Sequence, residues 1–181
     1  MIYKEETHIL KNGCKATFRS AQAADAKNLA EYMIKRAEET EFMLRDPDEC
    51  ESPEELADFI QRINTSEEDV MILCEVQGKI VGSCEMLRLT LRKTFHRASI
   101  SMGTLQEYWG LGIGTIMLRE MIGIARKRGI TQMELNVFEG NERAMGLYKK
   151  MGFEVVAERP NCIHLKDGKR LKAYTMFLTL E

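Results

Sequence analysis

The chain has 181 residues, 44% apolar and 30% charged, with 3 prolines and a formal net charge of −2. This length and balance fit one soluble domain with a buried core, and exclude both a generic nucleic-acid binder, which needs a basic surplus, and a disordered chain. No run of about 18 apolar residues is present, so no membrane span is expected, and Met1-Ile2-Tyr3-Lys4-Glu5-Glu6 is too polar for a secretory signal. Cys14, Cys50, Cys74, Cys84 and Cys162 are odd in number and unpaired in spacing, which reads as reduced thiols in a cytoplasm rather than disulfides or a zinc site. His8, His96 and His164 have no metal-ligand spacing either.

In chain order, residues 14–19 read as a short first strand. Asp25 reads as the cap of a helix running to about residue 39, with Leu29, Met33, Ile34 and Ala37 on one face. Ser52-Pro53-Glu54-Glu55 is a clearer helix start: a capping serine, proline in the first turn and glutamate three residues on. Leu56, Phe59, Ile60 and Ile63 supply the stripe of that helix. Residues 70–76, 80–91 and 97–105 predict an antiparallel meander, its first two strands joined at Gln77-Gly78-Lys79.

The pattern then changes. Ile113, Ile116, Met117, Met121 and Ile124 recur at helical spacing, and Arg126, Lys127, Arg128 and Gly129 make a cationic, glycine-terminated end. Residues 130–137 follow as a strand, which strand–helix–strand connectivity pairs in parallel. Asn141 caps another helix bearing Ala144, Leu147, Tyr148 and Met151, stopped by Gly152. Residues 153–158 and 171–180 are the last strands, turned at Asp167-Gly168, with the final one packed inside its own sheet rather than at a dimer edge. The expectation is one α+β domain over residues 1–181, with a mixed, mostly antiparallel sheet flanked by about four helices.

Tyr108-Trp109-Gly110-Leu111-Gly112-Ile113-Gly114 leads directly into an amphipathic helix. Glycines there let the backbone approach a ligand and aim unpaired N–H groups at it, which suits phosphate. A dinucleotide fold would place such glycines after an early strand, with an acid about 20 residues on, and a P-loop would need its lysine. Neither pattern is present.

With Asn141-Glu142-Arg143-Ala144 and Leu147-Tyr148-Lys149-Lys150-Met151-Gly152-Phe153 downstream, residues 98–153 resemble the GNAT superfamily of acyl-CoA-dependent N-acetyltransferases. A weaker likeness runs over the whole chain, including Phe18-Arg19-Ser20-Ala21. Gly112 and Gly114 fill the glycine positions of that family's pyrophosphate loop, Arg/Gln-x-x-Gly-x-Gly/Ala, whereas Trp109 stands where Arg or Gln is usual. The resemblance implies acetyl-CoA as co-substrate, no metal, and a sheet whose central strands splay. It assigns Met102, Gly103, Thr104 and Leu105 to the pantetheine arm and the acetyl carbonyl. The backbone of Gly110, Leu111, Gly112, Ile113, Gly114 and Thr115 would wrap the pyrophosphate, Asn141 would contact the cofactor arm, and Tyr148 would lie beside the thioester sulfur. By residue type alone, Asn141 is a good cap and Tyr148 a core residue with its hydroxyl at the edge.

Acetylating an amine poses a definite problem. At pH 7 only about one amine in 2,500 is the free nucleophile, so a base, a water chain or a lowered pKa must remove a proton. The oxyanion needs a donor, for which a strand N–H near residues 103–105 is the candidate, and the thiolate needs an acid, for which Tyr148 is. Some family members carry a glutamate where Asn136 stands; Asn is no base and counts instead as an acceptor contact. Glu134, two residues back on the same strand face, and Glu85 are the candidate bases, beside a water relay with no single base. Residues 38–69 hold 13 acids and 2 bases, against 15 acids and 24 bases elsewhere. That asymmetry is either solvated helix surface or, with Glu41 as a candidate contact, an acidic lip for a small cationic amine or a protein amine. The resemblance implies direct acetyl transfer in a ternary complex, and the expected assembly is a monomer or homodimer without nucleic-acid or membrane partners. The rival readings are a non-catalytic acyl-CoA-binding sensor and acyl transfer to a hydroxyl or thiol.

Overall fold

The computed structural model describes residues 1–181 and groups them into two compact units, Met1–Leu87 with Ser101–Leu118, and Arg88–Ile100 with Arg119–Glu181. In the first unit, β1 (Glu6–Ile9), β2 (Lys15–Ser20), β3 (Val70–Val76) and β4 (Lys79–Arg88, its last residue in the second unit) pair antiparallel in succession. Phe18 stands opposite Cys74, and Ile72 opposite Cys84. The apolar run of β3 is buried almost throughout, as expected for a strand covered on both faces. Gln77 (φ 50°) and Gly78 (φ 76°) make the tight turn into β4 with left-handed dihedrals at both central positions. The thiols of Cys74 and Cys84 lie in this buried region; burial pushes the Cys74 pKa up to about 12 and that of Cys84 higher still, so both are inert packing groups.

β1 is absent from the sequence reading. Its residues are mostly exposed and Ile9 is 69% exposed, so no alternation of burial marks it; ladder bonds to β2 alone define the strand.

Helix α1 (Ala26–Glu39) and helix α2 (Pro53–Thr65) belong to the same unit. At α2 the capping box forms as the sequence predicts: Ser52 Oγ accepts from the Glu55 N–H (3.2 Å), and the Glu55 carboxylate accepts from the Ser52 N–H (2.8 Å). At α1 it does not. Asp25 holds the N-cap position of α1 but gives that helix no side-chain cap, because its carboxylate accepts two bonds from the Arg19 guanidinium (2.7 and 2.8 Å) and one from the Gln22 N–H, the latter closing a capping box on the short 3-10 turn Ala23–Asp25. A charge-assisted fork is a stronger partner than a helix amide. Arg19 also reaches Glu75 on β3 at 2.8 Å, so the three side chains tie the start of α1 to two strands.

Arg19 holds the Asp25 carboxyl below the usual carboxylate range. With the folded pKa depressed, the stabilisation is present above the unfolded pKa and is lost as pH falls through the folded one. Asp25→Asn is therefore expected to cost about 1 kcal/mol at pH 7, after allowing for solvent screening, and to lose less stability on acidification than the parent does. Urea denaturation at pH 7 and pH 3 measures both; equal acid sensitivity would contradict the assignment.

The buried face of α1 is rotated from the expected one. Leu29, Ala30, Tyr32 and Arg36 face inward with Leu56, Ile60, Ile63, Met71 and Leu73, while Ile34 is 38% exposed. An arginine thus occupies a position on the core stripe, which a reading of apolar periodicity passes over.

β5 (Arg97–Thr104) contributes its C-terminal half to this unit and its N-terminal half to the second. Gly82 on β4 is required where the end of β5 and the first residue of helix α3 (Ile113–Lys127) press upon it. A Cβ there would stand 3.1 Å from the Thr104 methyl and 3.3 Å from the Ile113 side chain.

In the second unit, β5 pairs in parallel with β6 (Gln132–Phe138), Ala98 opposite Met133. β6 pairs antiparallel with β8 (Arg170–Thr179), and β8 with β7 (Glu154–His164). Helix α4 (Glu142–Lys150) lies between β6 and β7 in sequence. Met133, Leu135, Phe153 and Met176 are buried in this unit. The strand order, β1-β2-β3-β4-β5-β6-β8-β7, makes a mixed, mostly antiparallel eight-stranded sheet, and puts β8 inside it as expected. β7 is the edge. It runs six residues past the predicted end because Pro160 is tolerated on an edge strand, and Asn161 (φ 54°) takes up the register shift between Arg159 and Ile163. No helix is long and apolar enough to cross a membrane.

Candidate active site

The glycine turn lies at the head of α3 in the first unit. Gly110 (φ 76°) and Gly112 (φ 100°) adopt dihedrals that L side chains rarely take, and open space lies where their Cβ atoms would be. The Ile116 N–H bonds the Gly112 carbonyl at 3.1 Å as the helix begins. The N–H groups of Ile113, Gly114 and Thr115 precede that bond and belong to the helix N-terminus, where donors lack intrahelical acceptors and the dipole is positive. Glycines bare toward solvent beside such donors fit a pyrophosphate. Trp109, the departure from the expected loop pattern, has a local role: its indole N–H donates to the Thr104 carbonyl at 2.9 Å and straps the turn to the end of β5.

Thr104 at the end of β5 and Leu105 just after it are buried, and the Leu105 N–H is taken by the Val81 carbonyl at 3.0 Å, so it is no open oxyanion donor. The Gly103 carbonyl accepts from the Tyr32 hydroxyl at 2.8 Å. Gly103 is also the place where Arg36 lies against the strand: a Cβ there would stand 2.5 Å from Nη1. Met102 is partly buried beside it.

A cavity of about 290 Å³ opens in this unit, with Met33, Met43, Phe59 and Met71 among its apolar walls and Arg36, Arg45, Glu51 and Glu85 as its charges. Arg45 and Glu51 pair with one another at 2.7 Å. Glu85 makes no hydrogen bond or ion pair of its own. Burial pushes its carboxyl above the usual range; Arg36 is the charge that most opposes this, and Glu51 adds to it. Of the acidic segment, Glu51 reaches the cavity wall, and Glu41 does not line it. Arg36, Arg45 and Glu51 escaped the sequence reading. For Arg36 the available signal was its place seven residues after Leu29, on the same helix face.

In the second unit, Asn141 caps α4, its Oδ1 accepting from the Ala144 N–H at 3.1 Å. Tyr148 is 7% exposed, with its ring tilted on Phe153 at 5.8 Å between centroids. Glu134 is held in an ion pair by Arg97. Asn136 Oδ1 accepts from Arg159 and from the Thr175 hydroxyl, each at 2.9 Å. The two candidate bases thus differ: Glu134 is paired, whereas Glu85 stands unpaired on a cavity wall. No group of three or more His, Cys, Asp or Glu side chains is placed to hold a metal ion.

A glycine turn opening a helix after an antiparallel run, followed by a parallel crossover strand and a capped helix, is the arrangement that the resemblance to acyl-CoA-dependent acetyltransferases implies. The model of the Acetyltransferase (GNAT) family matches residues 26–153, and the chain belongs to that family. A GNAT-family acetyltransferase from Streptococcus pneumoniae is similar with a TM-score of 0.86 and 26% identity, over 91% of this chain and 99% of that one. The structure of yncA, a putative acetyltransferase of Salmonella typhimurium with its cofactor acetyl-CoA, has a TM-score of 0.81 and 20% identity, over 92% and 94% of the two chains. An uncharacterized N-acetyltransferase of Methanocaldococcus jannaschii is 35% identical over 91 residues, 49% of this chain and only 40% of that protein's length.

Proposed function

We propose that the chain transfers the acetyl group of acetyl-CoA directly to a primary amine bound in the cavity of the first unit, with Glu85 as general base and Tyr148 as the acid that protonates the leaving thiolate. The observation that carries this reading is Glu85 itself: a carboxylate without hydrogen bond or ion pair, desolvated, on the wall of the cavity. A base whose pKa is raised toward the working pH takes a proton from an ammonium more effectively than an ordinary carboxylate does. Acetyl-CoA supplies the activated thioester. The backbone N–H groups of residues 110–115 hold its pyrophosphate, residues 102–105 line the pantetheine arm and Asn141 contacts that arm. The N-acetyltransferase named among the relatives supports nitrogen, rather than a hydroxyl or thiol, as the acceptor atom. A cavity of about 290 Å³ suits a small amine or the end of a protein side chain.

Thiol release from acetyl-CoA in the presence of an amine mixture tests the proposal. The wild type is expected to release thiol only when amine is present, and Tyr148→Phe to lower kcat by about 10- to 100-fold with little change in the KM for acetyl-CoA. Tight acetyl-CoA binding without amine-dependent thiol release would overturn it in favour of a sensor.

A further inference from the structure

Building on the reading of Glu85 as the base, we infer that the acceptor is a zwitterion: a free α-amino acid or a close analogue, its carboxylate held by Arg36 while its amine faces Glu85. The inference starts from what Arg36 lacks. Its side chain lies on the cavity wall, yet the residue is only 7% exposed. A guanidinium carries five N–H donors. Arg36 has one hydrogen bond, to the Tyr32 hydroxyl at a long 3.4 Å, and its Nε is buried without a partner. The Tyr32 ring lies 5.3 Å from the guanidinium carbon. No carboxylate stands within 4.0 Å of it, and a buried charge is ordinarily paired.

The other charges of the cavity sharpen the point. Arg45 and Glu51 neutralise one another at 2.7 Å. What remains on the wall is one cation, Arg36, and one anion, Glu85, neither with an ion-pair partner. A diamine would answer Glu85 and bring a second cation toward Arg36. A plain alkylamine would answer Glu85 and leave the guanidinium unmet. A molecule with an ammonium and a carboxylate answers both, and the guanidinium fork matches a carboxylate in bidentate geometry.

The surroundings are built for this. Gly103 has no Cβ, which is the condition for Arg36 to lie where it does, and Tyr32 links the two by donating to the Gly103 carbonyl at 2.8 Å while accepting from Arg36. Met33, Met43, Phe59 and Met71 offer an apolar wall for the side chain of the amino acid. The 13 acids of residues 38–69 carry less weight than their number implies, because Glu51 alone among them lines the cavity and Arg45 neutralises it.

The test uses the whole chain and matched acceptor triples: leucine, leucinamide and isoamylamine; phenylalanine, phenylalaninamide and phenethylamine; and likewise for methionine. Wild-type kcat/KM is expected to be about 10- to 100-fold higher for the acid of each triple, mostly through KM. Arg36→Met is expected to collapse that preference, bringing kcat/KM for the acid of each triple down to that of its amide and amine, and Arg36→Lys to restore part of it. The wild-type comparison needs no variant to fold. Amides or plain amines that equal or surpass the acids in the wild type would overturn the zwitterion, as would acetylation confined to diamines or peptides. In either case the loss of amine acetylation in Glu85→Gln would still stand, so the base survives. An inert Glu85→Gln substitution, or no thiol release with any amine, removes the underlying reading and the zwitterion with it.

Discussion

Glu85→Gln is expected to lower kcat for amine acetylation by about 10²- to 10³-fold while the KM for acetyl-CoA stays unchanged, because the amide keeps the shape of the carboxylate and loses only its proton affinity. The pH dependence gives a sharper signature. Burial raises the Glu85 carboxyl above its ordinary value of 4.5, and Arg36 opposes this only in part. Wild-type kcat should therefore rise with pH through a limb displaced upward from the ordinary carboxylate range, and the Gln variant should lack that limb. Stability should move in the opposite sense. A carboxyl whose folded pKa is raised keeps its proton in the native state after the unfolded chain has released its own. Stability accordingly falls as pH climbs from the unfolded value through the folded one. Removing the ionisable group removes that slope, so Glu85→Gln should be at least as stable as the parent above the ordinary carboxylate range and show a flatter profile there. Urea denaturation across those pH values, alongside the kinetics, separates a lost base from a damaged fold. A variant with full activity, or one that unfolds more easily than the parent above the ordinary carboxylate range, would refute the role.

Gly112→Val is expected to raise the KM for acetyl-CoA more than 10-fold and to weaken CoA binding in calorimetry by a similar factor, at a cost in stability of about 1–3 kcal/mol. The cause is the backbone rather than crowding. A Cβ at Gly112 would meet nothing within 4 Å, yet φ of 100° is closed to a β-branched residue. The turn must change its dihedrals to accept valine, and the N–H groups at the head of α3 then lose their aim. Gly82→Val provides the contrast, because there the dihedrals are ordinary and the crowding is real, with Thr104 and Ile113 at 3.1 and 3.3 Å from the added carbon. That substitution should destabilise by about 1–3 kcal/mol through overpacking. Unchanged CoA affinity in Gly112→Val would mean that the turn does not hold the pyrophosphate.

What could be read from the residues and what could not divides along the range of the interactions. The capping box at Ser52 and Glu55, the two-residue turn at Gln77 and Gly78, the glycine turn before α3 and the Asn141 cap are each decided by groups within a few positions of one another, and all are present. The parallel pairing of β5 with β6 was legible because a strand, a helix and a strand leave few other routes. β1 was hidden, since an exposed edge strand carries no burial pattern and exists only through its partner. Asp25 stands at the N-cap position of α1 as expected, but its carboxylate is drawn to Arg19, which approaches from a strand across a bend in the chain, and so gives the helix no side-chain cap.

The site followed the same division. By itself the sequence determined the family's loop, the two downstream motif residues Asn141 and Tyr148, and two carboxylates as rival bases, because these rest on residue type and short spacing. It had no means to rank Glu85 against Glu134. Only the tertiary structure paired Glu134 with Arg97, left Glu85 unpaired on a cavity wall, and turned Arg36 inward against Gly103. The physical reason is that whether a charge is neutralised or desolvated depends on which distant segments pack around it, and a linear pattern of residue types carries no record of that packing.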